Sequence, residues 1–245
     1  MKTLTKTLFI VLIVFCFISY GKNAFAQGVS LSTLVSLPSG DFGDDDIEDE
    51  DAGLAKTGFG VDLSIDIPMN TENLYIHINA SAIYNPIDVD ELTEVFQNQS
   101  SDWTYTTNDP YSMSFPIMGG IKYYQPLSET SKFYFQGELG LNINSMSEIE
   151  VEGKEKDFYQ GDDKKSIRSY DHEVATAFGI GVGGGFLINE KLRLGLKYLD
   201  LGKHEIERDY NYKYYYNGSL ETDETEKQEL EKKISMVTLS IGICF

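Results

Sequence analysis

The feature that most constrains this chain is an alternation of apolar and polar residues with a period of two, which returns in eight separate segments. In the segment beginning at Phe133, one phase reads Phe133, Phe135, Gly137, Leu139, Leu141, Ile143, and the other Tyr134, Gln136, Glu138, Gly140, Asn142, Asn144. The same split recurs over Phe59 to Ile67, over Leu192 to Tyr198 and from Val237 to Phe245. Successive side chains of a strand point to opposite faces, so this is the period of β-strands with two unlike faces. Four weaker segments, Val29 to Leu37, Leu74 to Tyr84, Ser112 to Tyr124 and Glu173 to Ile188, complete an up-and-down set of eight. Pro116, inside one of them, requires a bulge or a missing ladder bond.

The connections fall into two classes. Short ones, Pro68 to Asn73, Gln125 to Lys132 and Asn189-Glu190, alternate with long ones at 38–57, 85–111, 147–172 and 204–232. An even strand number with short turns at one end and long loops at the other predicts an all-β fold: an eight-stranded antiparallel up-and-down transmembrane β-barrel, with short periplasmic turns and long acidic extracellular loops. The alternative is a soluble barrel with an apolar lumen. Volume decides against it: an eight-stranded barrel is only just wide enough to hold its own side chains, and the Phe, Leu, Ile and Val phase would overfill it. The bulky phase therefore faces lipid and the small or polar phase faces in. Aromatic residues agree, with Tyr75, Tyr123, Tyr124, Phe133, Phe135, Phe186 and Phe245 near the short turns and Phe59, Tyr84, Phe115 and Tyr198 toward the long loops, as two interfacial girdles.

Residues 1–26 read as a secretory signal peptide and 27–245 as the barrel domain. Lys2 and Lys6 precede an apolar run, Leu8 to Ile18, that is too short for a comfortable membrane-spanning helix, and Ala24-Phe25-Ala26 offers a cleavage site. The chain is expected in the outer membrane.

The mature segment resembles the small eight-stranded outer-membrane barrels of Gram-negative bacteria, of the porin-like or PorT-like type. The residues that carry the resemblance are the last strand ending on Phe245, the stretch Phe115-Pro116-Ile117-Met118-Gly119-Gly120-Ile121-Lys122-Tyr123-Tyr124, and Leu196-Lys197-Tyr198. The resemblance implies a monomeric barrel among outer-membrane lipid, with Phe245 as the signal read by the barrel-insertion machinery. It implies no particular activity, since such barrels include adhesins, structural proteins, narrow channels and a few lipid-modifying enzymes.

Charge is concentrated. Of 39 Asp and Glu, 31 fall in the four long loops, against ten Lys and Arg there, within a formal net charge of −19 for the whole chain. This balance argues against a nucleic-acid partner. The acid runs, such as Asp44 to Asp51, read as a solvated surface that could hold Ca²⁺ or Mg²⁺ weakly, without EF-hand spacing; no other cofactor is expected. Inward charges of both signs, Asp62, Asp66, Lys122, Glu138, Arg193 and Lys197, are expected to pair and plug the lumen, because a buried unpaired charge is costly. A hairpin turning at Asn189-Glu190 would bring His172 near His204 and Glu205 at the outer rim, a candidate histidine-carboxylate metal site. His77 reads as a satisfied lumen residue.

The string Gly179-Ile180-Gly181-Val182-Gly183-Gly184 matches a dinucleotide-site pattern but lacks the βαβ setting, and reads as inward glycines in a tight barrel. Tyr210, Tyr212, Tyr214 and Tyr216 alternate up to Asn217-Gly218, a hairpin-turn dipeptide, and mark a protruding ribbon that is a candidate surface for an extracellular partner. No histidine stands beside a serine nucleophile on the outer rim, so no enzyme is expected. The reading is a structural or surface-interaction barrel, with a narrow cation-preferring pore as the alternative and a lipid-modifying enzyme behind both.

Overall fold

A computed structural model describes residues 28–45, 52–99, 102–155 and 163–245. The signal segment and the acid run 46–51 lie outside the described residues. The strands are β1 (Val29–Pro38), β2 (Gly58–Pro68), β3 (Leu74–Pro86), β4 (Trp103–Thr107), β5 (Tyr111–Pro126), β6 (Ser131–Met146), β7 (Ile149–Glu155), β8 (Lys164–His172), β9 (Ala175–Ile188), β10 (Leu192–Tyr216) and β11 (Ser219–Cys244), with one α-helix, α1 (Val89–Gln99).

Eight strands close a ring in the order β11-β1-β2-β3-β5-β6-β9-β10, and β10 pairs back onto β11. All the pairings are antiparallel, so the barrel has no free edge. The eight ring strands are those expected from the alternation. Pro116 costs a local pairing, as expected: β3 and β5 pair at Ala80↔Ile117 and again at Ile83↔Ser114, with the register unchanged between them. The turn at Asn189-Glu190 has φ of 52° and 56°, and Asn217-Gly218 has 48° and 76°. Asn217-Gly218 is a two-residue turn between Tyr216 and Ser219, of the primed kind whose twist matches that of the flanking strands, whereas Asn189-Glu190 lie in a three-residue connection between Ile188 and Leu192.

The bulky phase faces outward. Val61, Ile78, Ile117, Ile121, Phe135, Leu139, Leu141, Ile180, Val182, Leu196, Ile241 and Ile243 are all exposed on the barrel wall, while Ser30, Ser32, Ser64, Asp66, His77, Asn79, Lys122, Glu138, Asn142 and Arg193 are buried within it. A contiguous apolar band around a polar interior is stable against hydrocarbon and not against water.

Two features depart from the sequence expectation. Tyr75 and Tyr124 do not belong to the lipid-side girdle. Both point into the lumen, where Tyr124, Tyr134 and Leu187 are buried and Tyr75 packs edge-on against Tyr124 at 5.1 Å. Neighbouring Tyr123 and Tyr124 must point to opposite faces, and Tyr123 is the one left outside. The long connections, moreover, are not simple loops. β10 and β11 run on past the barrel, and β8, β7 and β4 add to β10, so that β11-β10-β8-β7-β4 forms a five-stranded extracellular sheet. Helix α1 packs on one face of it through Leu92 and Phe96, against Tyr105, Val151, Trp103, Ile149 and Tyr170.

Candidate functional site

Three layers are stacked along the barrel axis, each set by the inward phase of the same strands. The lowest is ionic. Asp66 of β2 accepts from four donors: His77 Nδ1 at 2.6 Å, Lys122 Nζ at 3.1 Å, the Tyr124 hydroxyl at 2.7 Å and Arg193 Nη2 at 2.6 Å. Arg193 Nη1 also donates to Ser30 and Ser64, at 2.6 and 2.9 Å. Glu138 lies 2.9 Å from Lys197 Nζ and 3.5 Å from His77 Nε2, and Asp62 accepts from Asn79 and Ser81 at 2.8 Å with Lys197 at 4.0 Å. Lys122 and Arg193 both sit over the Tyr134 ring. The structure therefore brings together all six of the lumen charges singled out in the sequence, three acids and three bases, and adds His77, Tyr124 and Tyr134 to them. Tyr134 belongs to the inward phase already read in the sequence, whereas Tyr124 was placed in the lipid girdle and the register of β5 puts it inside.

The alternating glycines of β9 make room for this layer. A Cβ at Gly181 would lie 2.7 Å from Glu138 Oε1, one at Gly183 3.0 Å from Lys197 Cβ, and one at Gly185 2.7 Å from the Tyr134 hydroxyl. The dinucleotide-like string is thus the hollow side of an ion network.

The second layer, at the outer mouth, is apolar and was not foreseen. Leu34, Ile83, Leu199, Leu201, Ile234 and Met236 from the strand ends close around Phe42, with Ala55 and Ile87 beside it. Phe42 belongs to a 3-10 turn, Gly40–Gly43, in the first long loop, and is 1% exposed. A lone Phe between Asp41 and a glycine carries no periodic signal, so only the fold reveals its place.

The third layer is the extracellular sheet. On one face, Tyr210 packs against Tyr170 with ring centres 5.1 Å apart and the planes tilted by 31°, and Arg208 lies 5.0 Å from the Tyr170 ring. Arg168 lies 5.5 to 5.9 Å from the rings of Phe96, Tyr105 and Tyr212. Tyr210 and Tyr212 are thus part of a packed aromatic face, and Tyr214 and Tyr216 continue their strand phase toward the tip, where Tyr216 is exposed.

The proposed metal set is not brought together. His172 pairs with Arg208, four residues beyond His204 on the same strand, and His204 pairs with Lys232. His204 is buried, with Nε2 3.0 Å from Asn142 Nδ2, while Glu205, the next residue along the strand, is exposed on the opposite face. Among the described residues, no three His, Cys, Asp or Glu are grouped so as to hold a metal ion. Burial instead holds His172 neutral, its pKa lowered to about 4, with the positive charges of Arg208 and Lys232 acting in the same direction.

A closed ring of eight antiparallel strands, apolar without and polar within, with short turns at one end and an acidic superstructure at the other, defines a small outer-membrane β-barrel protein. No protein-family model matches the chain, and no curated protein does. Among solved structures it is similar to Neisserial surface protein A, at 15% identity and a TM-score of 0.41, over 89% of this chain and 94% of that one. It is similar also to Ail, the attachment invasion locus protein of Yersinia pestis, at 14% identity and a TM-score of 0.39, over 89% and 97% of the two chains. A third is the outer membrane protein OprG from Pseudomonas aeruginosa, at 11% identity and a TM-score of 0.41, over 89% and 93%.

Proposed function

We propose that this protein serves as a closed outer-membrane barrel whose working part is its extracellular sheet, in a structural or surface-interaction role without catalysis. The observation that carries this reading is the balance of the lumen: three carboxylates, Asp66 and Glu138 buried and Asp62 half-buried, face three cations, Lys122 and Arg193 buried and Lys197 half-buried, within hydrogen-bond or ion-pair distance, so the interior is largely filled by its own side chains. Water and ions would have to break that network to pass. The aromatic face and exposed tyrosine tip of β10 offer the contact chemistry for an extracellular partner. The acidic loops add a hydrated surface with weak affinity for Ca²⁺ or Mg²⁺, and Phe245, exposed at the chain end, serves the insertion machinery.

The test is single-channel conductance of the refolded chain in a planar bilayer, with insertion verified by heat-modifiable migration on a gel. The expected result is a silent bilayer, with or without Ca²⁺. Discrete cation-selective steps would overturn the closed-lumen reading and favour the narrow pore that the acidic mouth would feed.

A further inference from the structure

Six lumen charges balance, but His77 makes a seventh. Its Nδ1 lies 2.6 Å from Asp66 Oδ1 and its Nε2 3.5 Å from Glu138 Oε2, so each ring nitrogen faces a carboxylate oxygen. An ionised carboxylate only accepts, and a neutral imidazole offers a single N–H, so serving both acids takes the doubly protonated, cationic ring. The lumen then holds four cations, Lys122, Arg193, Lys197 and His77, against three anions, Asp62, Asp66 and Glu138. One positive charge is left over inside a membrane-embedded barrel, where an uncompensated charge is costly.

The surplus is not spread evenly. A cavity of about 30 Å³ lies in the lumen, lined by all four cations but by only one of the acids, Asp62. Hydrogen-bond donors are in surplus at the same place. The ammonium groups of Lys122 and Lys197 carry six N–H bonds between them. Among the described residues, the acceptors within reach take three: both oxygens of Asp66, at 3.1 and 3.3 Å, and Glu138 Oε1 at 2.9 Å, with the Tyr134 ring face as a weaker neighbour of Lys122. Asp62, 4.0 Å from Lys197 Nζ, already accepts from Asn79 and Ser81. Ser32, Thr238 and Ser240 on the remaining wall add hydroxyl groups and no charge. The volume is room for one or two waters, and a halide ion is little larger than a water molecule.

We propose that this cavity is a halide site: a chloride ion held among Lys122, Arg193 and Lys197 supplies the fourth negative charge of the lumen. A water molecule would fill the same space and accept from the same ammonium groups, but only an anion brings four cations and four anions together. The size of the cavity selects a monatomic ion, since an oxyanion such as phosphate or sulfate needs several times the room of a water. This inference rests on the filled lumen of the closed-barrel reading and makes a bound ion one of the parts that fill it.

The test refolds the barrel in sodium bromide, sodium chloride or sodium gluconate at one ionic strength, gluconate being too large for the cavity. Crystals grown from the bromide preparation are expected to show one anomalous bromine peak in the lumen, in contact with the ammonium groups of Lys122 and Lys197. Lys197→Met removes one of the four cations and leaves three against three, so its affinity for halide is expected to fall tenfold or more. The denaturant midpoint of the unaltered chain, referred to that of Lys197→Met in the same salt to cancel general salt effects, is expected to be higher in chloride than in gluconate, because an ion that binds only the folded barrel stabilises it. The variant is used only if it shows heat-modifiable migration, and where it does not refold the bromine peak of the unaltered chain decides. A lumen without that peak, or the same referred midpoint in chloride and gluconate, would overturn the site. Planar-bilayer conductance keeps the two readings apart: a silent barrel without the bromine peak overturns the halide site alone, whereas the peak in a barrel that conducts keeps the site and overturns the closed lumen.

Discussion

The barrel lumen and the extracellular sheet both set arginines beside tyrosines, buried in the lumen and half-buried in the sheet, yet they neutralise them in different ways. In the lumen, Arg193 donates 2.6 Å from Asp66 and has Tyr134 as a secondary neighbour. In the sheet, Arg168 and Arg208 lie against aromatic rings and have no ion pair among the described residues. The difference follows the solvent. A cation enclosed within a membrane-embedded barrel has no bulk water to fall back on and needs a carboxylate, whereas one on a water-washed sheet can keep part of its hydration and use rings for the remainder.

The contrast can be broken at four points, from the largest expected effect to the smallest. Asp66→Ala leaves Lys122 and Arg193 buried without their shared acceptor and should cost about 3–5 kcal/mol, read as a drop in the denaturant midpoint of the refolded barrel. A loss below about 1 kcal/mol would mean that the lumen is wet enough to hold bare cations.

The next concerns His172 in the sheet. Its folded pKa, lowered to about 4 from an ordinary 6.5, means that the unfolded segment takes up the proton first. The stability it contributes is present above about pH 6.5 and is lost as the pH falls toward 4, amounting to on the order of 3 kcal/mol at most. Amide hydrogen exchange across β8 and β10 should therefore quicken between pH 6.5 and 4, after correction for intrinsic rates, and His172→Gln should flatten the difference. Persistence of the pH effect in that variant would assign it elsewhere.

Arg168→Met tests the ring-stacked arrangement. With methionine filling the same space, the loss should be about 1 kcal/mol, seen as faster proteolysis of the sheet while the barrel's heat-modifiable migration is unchanged. An effect as large as that of Asp66→Ala would erase the distinction between the two regions. Least of all, Lys203→Ala removes a 3.1 Å pair with Glu231 whose side chains are more than half exposed, and should shift the denaturation midpoint by no more than about 0.5 kcal/mol equivalent.

The same contrast explains what the sequence made legible. Strands that separate lipid from a filled lumen must alternate strictly, so β1, β2, β3, β5, β6, β9 and the lower halves of β10 and β11 stand out, as do the inward charges. The sheet above meets water on one face and a single short helix on the other, and acids such as Glu224 and Glu226 sit in β11 without penalty, so the short strands β4, β7 and β8 carry no clean period. Tyr124 was misassigned because two adjacent tyrosines satisfy either phase equally well. The histidine set failed for a related reason. An estimate of which residues oppose one another does not say which face they occupy, and His204 and Glu205, neighbours in sequence, are on opposite sides of their strand. Phe42 gave no signal at all, since its role depends on where the mouth of the ring falls.

Strands β10 and β11, of 25 and 26 residues, pass from the periplasmic turns to the distal Asn217-Gly218 turn without a break in the chain trace. At about 3.3 Å per residue each is roughly 80 Å long. The two strands that reach farthest from the cell are neighbours in the barrel wall, and β11 pairs on its other side with β1, where the first and last strands meet and close the ring. Tension applied at the tip along their common axis would load their ladder in shear, many bonds at once, and would arrive at the seam. Below the tip, such a load would pass the bulge between Asp200 and Lys203 that carries Gly202 at φ 83° before it reached the barrel wall.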